Sequence, residues 1–142
     1  MKLAGGKFMV RLTQTVQKGG CAAKVAASEL RKILGELRFP PRIPELLVDG
    51  AYFDDAAIVR VTPELALVQT LDFFTPVVDS PLIFGKVAAA NALSDVYAMG
   101  GVPKTAMAIL GFPLATMETD VAVQVLQGAC DILTEAETSL VG

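Results

Sequence analysis

Residues 82–99 are rich in alanine, contain no proline and stop at Gly100-Gly101, the pattern of a helix closed by glycine. The segments on its carboxyl side restrict the fold further. Residues 104–112 read as a buried strand, and residues 120–136 read as a second helix that turns Val121, Val125, Cys130 and Leu133 toward a core. Glu118 and Asp120, in or before its first turn, suit the positive end of the helix dipole. The closing "TSLVG" begins another strand, at which the chain stops as if cut. Upstream, residues 56–61 and 65–70 are β-rich and separated by Thr62-Pro63-Glu64, which predicts a hairpin. Residues 22–37 place Leu30, Ile33, Leu34 and Leu37 on one helical face expected to be buried, ending near Arg38. Pro40, Pro41 and Pro44 then carry the chain across as an irregular connector. Helices and strands alternate in an α/β (α+β) pattern.

Composition excludes several classes. A chain of 142 residues fits one domain able to bury a core without disulfide staples. Of its residues 53% are hydrophobic, yet no apolar run approaches the roughly 18 residues of a spanning helix, so no membrane partner is expected. The excess apolar surface is expected to meet a subunit or domain interface. The net charge is −3 with no basic stripe, which argues against nucleic acid. The opening MKLAGGKFMVRL is broken by Gly5, Gly6 and Lys7 and does not read as a signal peptide. Cys21 and Cys130 are far apart and form neither a metal-ligand spacing nor a disulfide framework, which favours a reducing, cytoplasmic setting. Histidine is absent, which removes His-based metal sites, Ser-His-Asp triads and a histidine base. Carboxylates, lysine and thiol are left for chemistry.

In "VQKGGCAAK", Gly19 and Gly20 free the backbone ahead of Cys21, and Lys24 can bring positive charge near the sulfur, a setting that suits a reactive thiolate. A flexible loop whose cysteine merely opens a helix fits the same residues. Asp54-Asp55 precede the hairpin's first strand, Asp72 follows its second, and Asp95 lies one helical turn after Asn91 on the same face. Singly, such residues are ordinarily turns or caps. Asp95, however, sits among Ala88, Ala89, Ala90, Ala92 and Leu93, where a buried carboxylate needs a cation or several donors. Several carboxylates without matching arginines suggest a hard cation, with Mg²⁺ and nucleotide phosphates the usual combination. Neither a P-loop nor a Rossmann glycine fingerprint is present, so a nucleotide would be held through metal bridges, with Lys24 as a phosphate contact.

The succession "GGCAAK", "DGAYFDDAAIV", "TLDFFTPVVDSP", "NALSDVYAMGG" and "AILGFP" resembles the amino-terminal ATP-binding domain of the selenophosphate synthetase (selenide, water dikinase) family, over nearly the whole chain from about Arg11. "DDAA" and the pattern N-x-x-S-D-x-x-A-M-G are shared by a wider superfamily that includes thiamine-monophosphate kinase, a hydrogenase maturation factor and aminoimidazole ribonucleotide synthetase. "GGCAAK" and "DFFTPVVDSP" separate this chain from those relatives.

The resemblance implies a phosphotransferase that converts ATP, selenide and water into selenophosphate, AMP and orthophosphate with Mg²⁺. It also implies an α/β amino-terminal domain of the aminoimidazole ribonucleotide synthetase superfamily, a mixed sheet with helices on one face, its barrel completed by homodimerisation. By motif, Cys21 falls at the cysteine or selenocysteine position of a mobile glycine-rich segment and Lys24 at the essential lysine beside it. Asp55 and Asp95 fall at metal ligands, Asp72 at an aspartate serving nucleotide and metals, and Tyr52, Phe53 and Asp54 along the ATP. Asn91 is added from its place in the motif and its shared face with Asp95. The expected organisation is a flexible segment over residues 1–20 and an ATP-binding domain over 21–142. The family's following glycine-histidine stretch and second domain lie outside the sequence, and MKLAGGKF has no family counterpart. A superfamily kinase with another acceptor, or an inactive dimerisation fragment, are the competing readings.

Overall fold

A computed structural model describes residues 10–142 of the chain; the expectations for MKLAGGKF and for residues 1–9 of the flexible amino-terminal segment fall outside that range. Strands β1 (Leu46–Val48), β2 (Ala57–Arg60) and β3 (Ala66–Gln69) form an antiparallel sheet with β2 in the centre. The β2–β3 hairpin pairs Ala57 with Gln69 through Arg60 with Ala66. Its turn closes where the Thr62 hydroxyl accepts the Glu64 N–H at 3.3 Å, the local bond that makes threonine a turn residue. β1 falls inside the stretch expected to be an irregular connector. It pairs with β2 through a register shift between Leu46 and Val48. Because β1 and β2 run antiparallel, the loop joining them lies at the same sheet end from which β3 departs.

Helix α1 (Ala27–Gly35) is shorter than the span predicted from residue 22, because Cys21–Ala23 form a separate 3₁₀ turn. Its apolar face is a correction to the sequence reading. Ile33 is 52% and Leu37 53% exposed, and no residue of α1 is buried, since no other element among the described residues covers that face. Helix α2 (Pro81–Ala98) opens on Ser80, whose hydroxyl accepts the Ile83 N–H, with Pro81 at the first turn where its missing donor costs nothing. It ends as predicted at Gly100, whose φ of +72° suits glycine, with the Gly101 N–H returning to the Val96 carbonyl. Helix α3 (Thr119–Glu135) buries Val121 and Leu133 as expected, while Val125 and Cys130 are half-buried.

Strands β4 (Thr105–Ala106) and β5 (Ser139–Leu140) flank α3 as a parallel pair, the α/β unit anticipated from the helix-strand alternation. The long buried strand expected over 104–112 is not formed: two residues pair, and Met107 and Ile109 are 80% and 73% exposed. Pairing on one side by the two-residue β5 covers only that much. Instead of one mixed sheet, the described strands fall into an antiparallel sheet of three and a parallel pair. The enclosed core is thinner than the length led one to expect. Leu12, Ala56, Leu93, Val121, Ala122 and Leu133 are buried, and no large side chain among the described residues is fully enclosed.

The closest packing lies between α2 and α3, where Gly85 and Gly128 face the partner helix. A Cβ at Gly85 would stand 1.8 Å from the Val125 carbonyl oxygen, and one at Gly128 2.0 Å from that of Leu82. Lys86 on α2 also pairs with Asp131 on α3 at 3.0 Å. No helix among the described residues is long and apolar enough to cross a membrane.

Candidate active site

At the sheet end shared by the β1–β2 loop and the exit of β3, the chain leaves β3 as Thr70-Leu71-Asp72. In an extended segment residues two apart face one way, and on a helix residues four apart share a face. Thr70 and Asp72 therefore meet Asn91 and Asp95 of α2 as two rungs. Thr70 Oγ1 donates to Asp95 Oδ2 at 2.7 Å, and Asn91 Nδ2 donates to Asp72 Oδ2. The shared face of Asn91 and Asp95, inferred from their spacing, is thus used.

Asp72 has a second partner. Its Oδ1 is ion-paired with Lys24 Nζ, which also lies 5.8 Å from the centroid of the Phe73 ring. Partial burial alone would push the Asp72 carboxyl up, but the hydrogen bonds from Lys24 and Asn91 outweigh it and hold the group below its ordinary range. The hydrogen bond to Asp72 likewise holds the Lys24 ammonium above its ordinary value, against a smaller effect of burial; the nearby Cys21 adds a lesser upward push. Asp72 thus anchors a cation of the protein itself.

The glycine-rich segment is docked on this strip. The Gly20 N–H donates to the Thr75 carbonyl at 3.0 Å, and the Thr75 hydroxyl donates to the Lys18 carbonyl. Gly20 has φ of +61°, a conformation that favours glycine, and a Cβ there would also crowd Val77 at 3.0 Å. Cys21 follows immediately, exposed and with a free thiol, and its carbonyl accepts the Lys24 N–H at 3.0 Å. Lys24 is thus held against Asp72, with Cys21 at the start of the short turn that precedes it.

The loop from β1 to β2 supplies the remaining candidates. Asp49, which sequence reasoning passed over, accepts the Ala51 N–H at 2.9 Å to cap a short turn (Gly50–Tyr52) and pairs with Arg42 at 3.1 Å. Phe53 follows with a left-handed φ of +56°, its exposed ring under the Arg31 guanidinium at 4.7 Å. Asp54 and Asp55 are exposed, and Asp54 Oδ1 accepts the Asp55 N–H. The side chain of Tyr52 lies outside the described residues. The Asp55 main-chain carbonyl is 3.4 Å from Thr70 Oγ1, so the backbone of the loop and the Asp95 side chain of α2 meet at the same hydroxyl.

Metal fit can be judged from this donor set. Among the described residues no basic side chain pairs with Asp54, Asp55 or Asp95, and no three potential ligands of the His, Cys, Asp or Glu type converge. Two unpaired carboxylates suit Mg²⁺, which keeps several waters and completes its octahedron with phosphate oxygens rather than an all-protein cage. Asp55 and Asp95 fit such an ion; Asp72, the third expected ligand, is engaged with Lys24 and Asn91.

Residues 53–142 match the family described as AIR synthase related protein, N-terminal domain. The chain belongs to that family. Within the AIR synthase related family it is similar to proteins named selenide, water dikinase. It is 67% identical over 133 residues to that of Bdellovibrio bacteriovorus and 63% identical over 133 residues to that of Nitrosomonas eutropha, in each case across 94% of this chain. It is 46% identical over 136 residues to that of Clostridioides difficile. The chain spans 38% of the length of the first two relatives. The glycine-rich segment precedes residue 53, so the Cys21–Lys24 side of the site lies outside the family match and inside the similarity to the dikinases.

Proposed function

We propose that this chain provides the ATP- and Mg²⁺-binding part of a selenide, water dikinase, in which ATP, selenide and water yield selenophosphate, AMP and orthophosphate. The observation that carries the reading is the docking of Gly20 on Thr75 and of Lys24 on Asp72, which Asn91 joins to the helix that carries Asp95. A thiol and an ammonium stand on the strip that also carries aspartates, the combination that suits a soft anionic nucleophile and a metal-bound triphosphate. The similarity to the dikinases extends over the same segment.

Bound Mg²⁺ would neutralise phosphate charge and so lower the repulsion toward an anionic acceptor. The chain's own residues supply the rest. Asp55 and Asp95 present hard oxygen donors from two elements, and Asn91 orients Asp72. Asp72 in turn holds Lys24, whose ammonium can turn from the carboxylate to a phosphoryl oxygen when nucleotide arrives. Phe53 and Asp54, with Tyr52, form the loop along the nucleotide. Cys21 stands at the exposed edge to handle selenium, its reactivity resting on the lysine beside it. The exposed apolar faces of α1 and of residues 107–110 support a homodimer whose joined sheets complete a barrel, and the two free cysteines support a cytoplasmic setting.

The test is selenide-dependent AMP formation by the full-length protein. Wild type is expected to release AMP and orthophosphate. Cys21→Ser is expected to lose nearly all selenophosphate formation while keeping its fold and Mg-ATP binding, since an exposed loop thiol adds little to a core. Release of ADP with thiamine monophosphate, and no selenide dependence, would replace this reading with a superfamily kinase.

A further inference from the structure

We infer that Thr70 is a positioning residue for the cation site: it fixes which oxygen of Asp95 is presented to Mg²⁺. The inference rests on the reading of Asp55 and Asp95 as the metal carboxylates.

Thr70 is the first residue after β3 and is half-buried between the Asp54-Asp55 loop and α2. Its hydroxyl has one proton and two neighbouring acceptors: Asp95 Oδ2 at 2.7 Å and the Asp55 carbonyl at 3.4 Å. The shorter distance assigns the proton to Asp95. Asp95 Oδ2 is thereby occupied, and Oδ1 has no hydrogen-bond partner among the described residues. A carboxylate on a helix can otherwise rotate about its terminal torsion and offer either oxygen. A hydroxyl that holds one oxygen removes that freedom before the cation arrives. Partners of this kind, which touch a ligand's other atom rather than the metal, typically set metal affinity by 10–100-fold.

The rung partner makes the contrast plain. Asp72 has both oxygens occupied, by Lys24 and Asn91, and is held by charge. Asp95 has one oxygen occupied, by a neutral hydroxyl, which orients the group and leaves its charge uncompensated. Two aspartates at the same sheet end thus differ: one is paired with a lysine and an amide, the other is oriented by a neutral hydroxyl alone.

The experiment measures Mn²⁺, used as a paramagnetic stand-in for Mg²⁺, binding to the full-length protein without nucleotide, read by loss of the free-ion electron paramagnetic resonance signal. Thr70→Val keeps the shape and removes the proton, and is expected to weaken Mn²⁺ binding about tenfold. Thr70→Ser restores the hydroxyl and is expected to bind within about twofold of wild type. A merely structural Thr70 would lower the melting temperature of the valine variant and leave its Mn²⁺ affinity unchanged. Should Thr70→Val not fold, Thr70→Ala carries the same expected loss. Wild-type Mn²⁺ affinity in a folded Thr70→Val, with affinity lost in Asp95→Asn, overturns the role of Thr70 and leaves the carboxylates in place. Unchanged affinity in Asp95→Asn, or no Mn²⁺ binding by wild type, overturns both.

Discussion

Gly85→Ala tests whether the α2–α3 contact is as close as the structure places it. The new methyl would stand 1.8 Å from the Val125 carbonyl oxygen, 2.8 Å from its carbon and 3.1 Å from the Ala129 nitrogen. All three are backbone atoms of a helix and cannot rotate away, so the helices must part locally by more than an ångström. Opening a packed interface by that amount forfeits a substantial share of its dispersion contacts. Overpacking of this kind typically costs about 1–3 kcal/mol, and contacts this short belong at the upper end. Alanine returns about 1 kcal/mol through helix propensity, leaving a net loss of roughly 2 kcal/mol. For a domain of this size that is a fall in Tm of about 6–10 °C. Thermal melts and urea midpoints of the chain measure it. Gly128→Ala, at 2.0 Å from the Leu82 oxygen, should behave alike, and the double variant should cost less than both singles combined because the first substitution opens the gap the second needs. Gly35→Ala at the end of α1 is the control: nothing lies within 4 Å of its Cβ position, so stability should hold or rise. A Gly85→Ala protein as stable as wild type would refute the close crossing.

The site and its surroundings carry further expected outcomes. Asp55→Asn and Asp95→Asn should each weaken Mg-ATP binding and raise the melting temperature of the ligand-free protein, since each relieves repulsion between unpaired carboxylates; an unchanged ligand-induced shift in both would remove the metal assignment. The Lys24–Asp72 pair should shape the pH dependence of stability. Asp72 lies below its ordinary 3.8 when folded, so its contribution is present above that value and is lost as pH falls through the lower folded value. Lys24 lies above its ordinary 10.5, so its contribution is complete below 10.5 and is lost as pH rises through the higher folded value. Asp72→Asn should flatten the acid limb by at most about 1 kcal/mol, as the pair is partly exposed, and urea midpoints across the acid range show it. Cys130→Ala, which trims a half-buried side chain on α3, should cost about 1 kcal/mol or less and leave selenide-dependent AMP formation intact.

Elements governed by local pattern were legible in the sequence. α2, α3 and the β2–β3 hairpin fall within a residue or two of their predicted spans, because caps, turn residues and periodicity act over a few residues. Burial was not legible in the same way. Leu30, Ile33 and Leu37 have the spacing of a core face and are exposed, and residues 104–112 have the composition of a buried strand and pair over only two positions. A pattern states that a face wants cover; it does not say which element provides it. β1 was missed because three apolar residues between Pro44 and Asp49 are too few to show a period. At the site, the shared face of Asn91 and Asp95 and the nearness of Lys24 to Cys21 were readable from spacing. Thr70 was not, although it precedes Asp72 by two residues as Asn91 precedes Asp95 by four, and those paired spacings were the available signal. A charged side chain in an apolar stretch stands out in a sequence, whereas a neutral hydroxyl shows its role only when its acceptor is seen.

Helix packing and the proposed cation site meet in α2. Gly85 sits six residues before Asn91 and ten before Asp95, on the helix whose position against the β3 exit determines both rungs. Hydrogen bonds of this kind weaken steeply once the donor and acceptor part by half an ångström, and misplacement of a positioned group by about 1 Å can cost 10²-fold in function. Parting α2 from α3 should therefore loosen the Thr70–Asp95 rung even though Gly85 touches neither residue. In a Gly85→Ala protein held well below its melting temperature, Mn²⁺ affinity should fall by more than the unfolded fraction accounts for, and Thr70→Val added on top should cost less than its usual tenfold. If instead the two substitutions act independently on Mn²⁺ affinity, the α2–α3 crossing serves stability alone and the rungs are set by the sheet end without it.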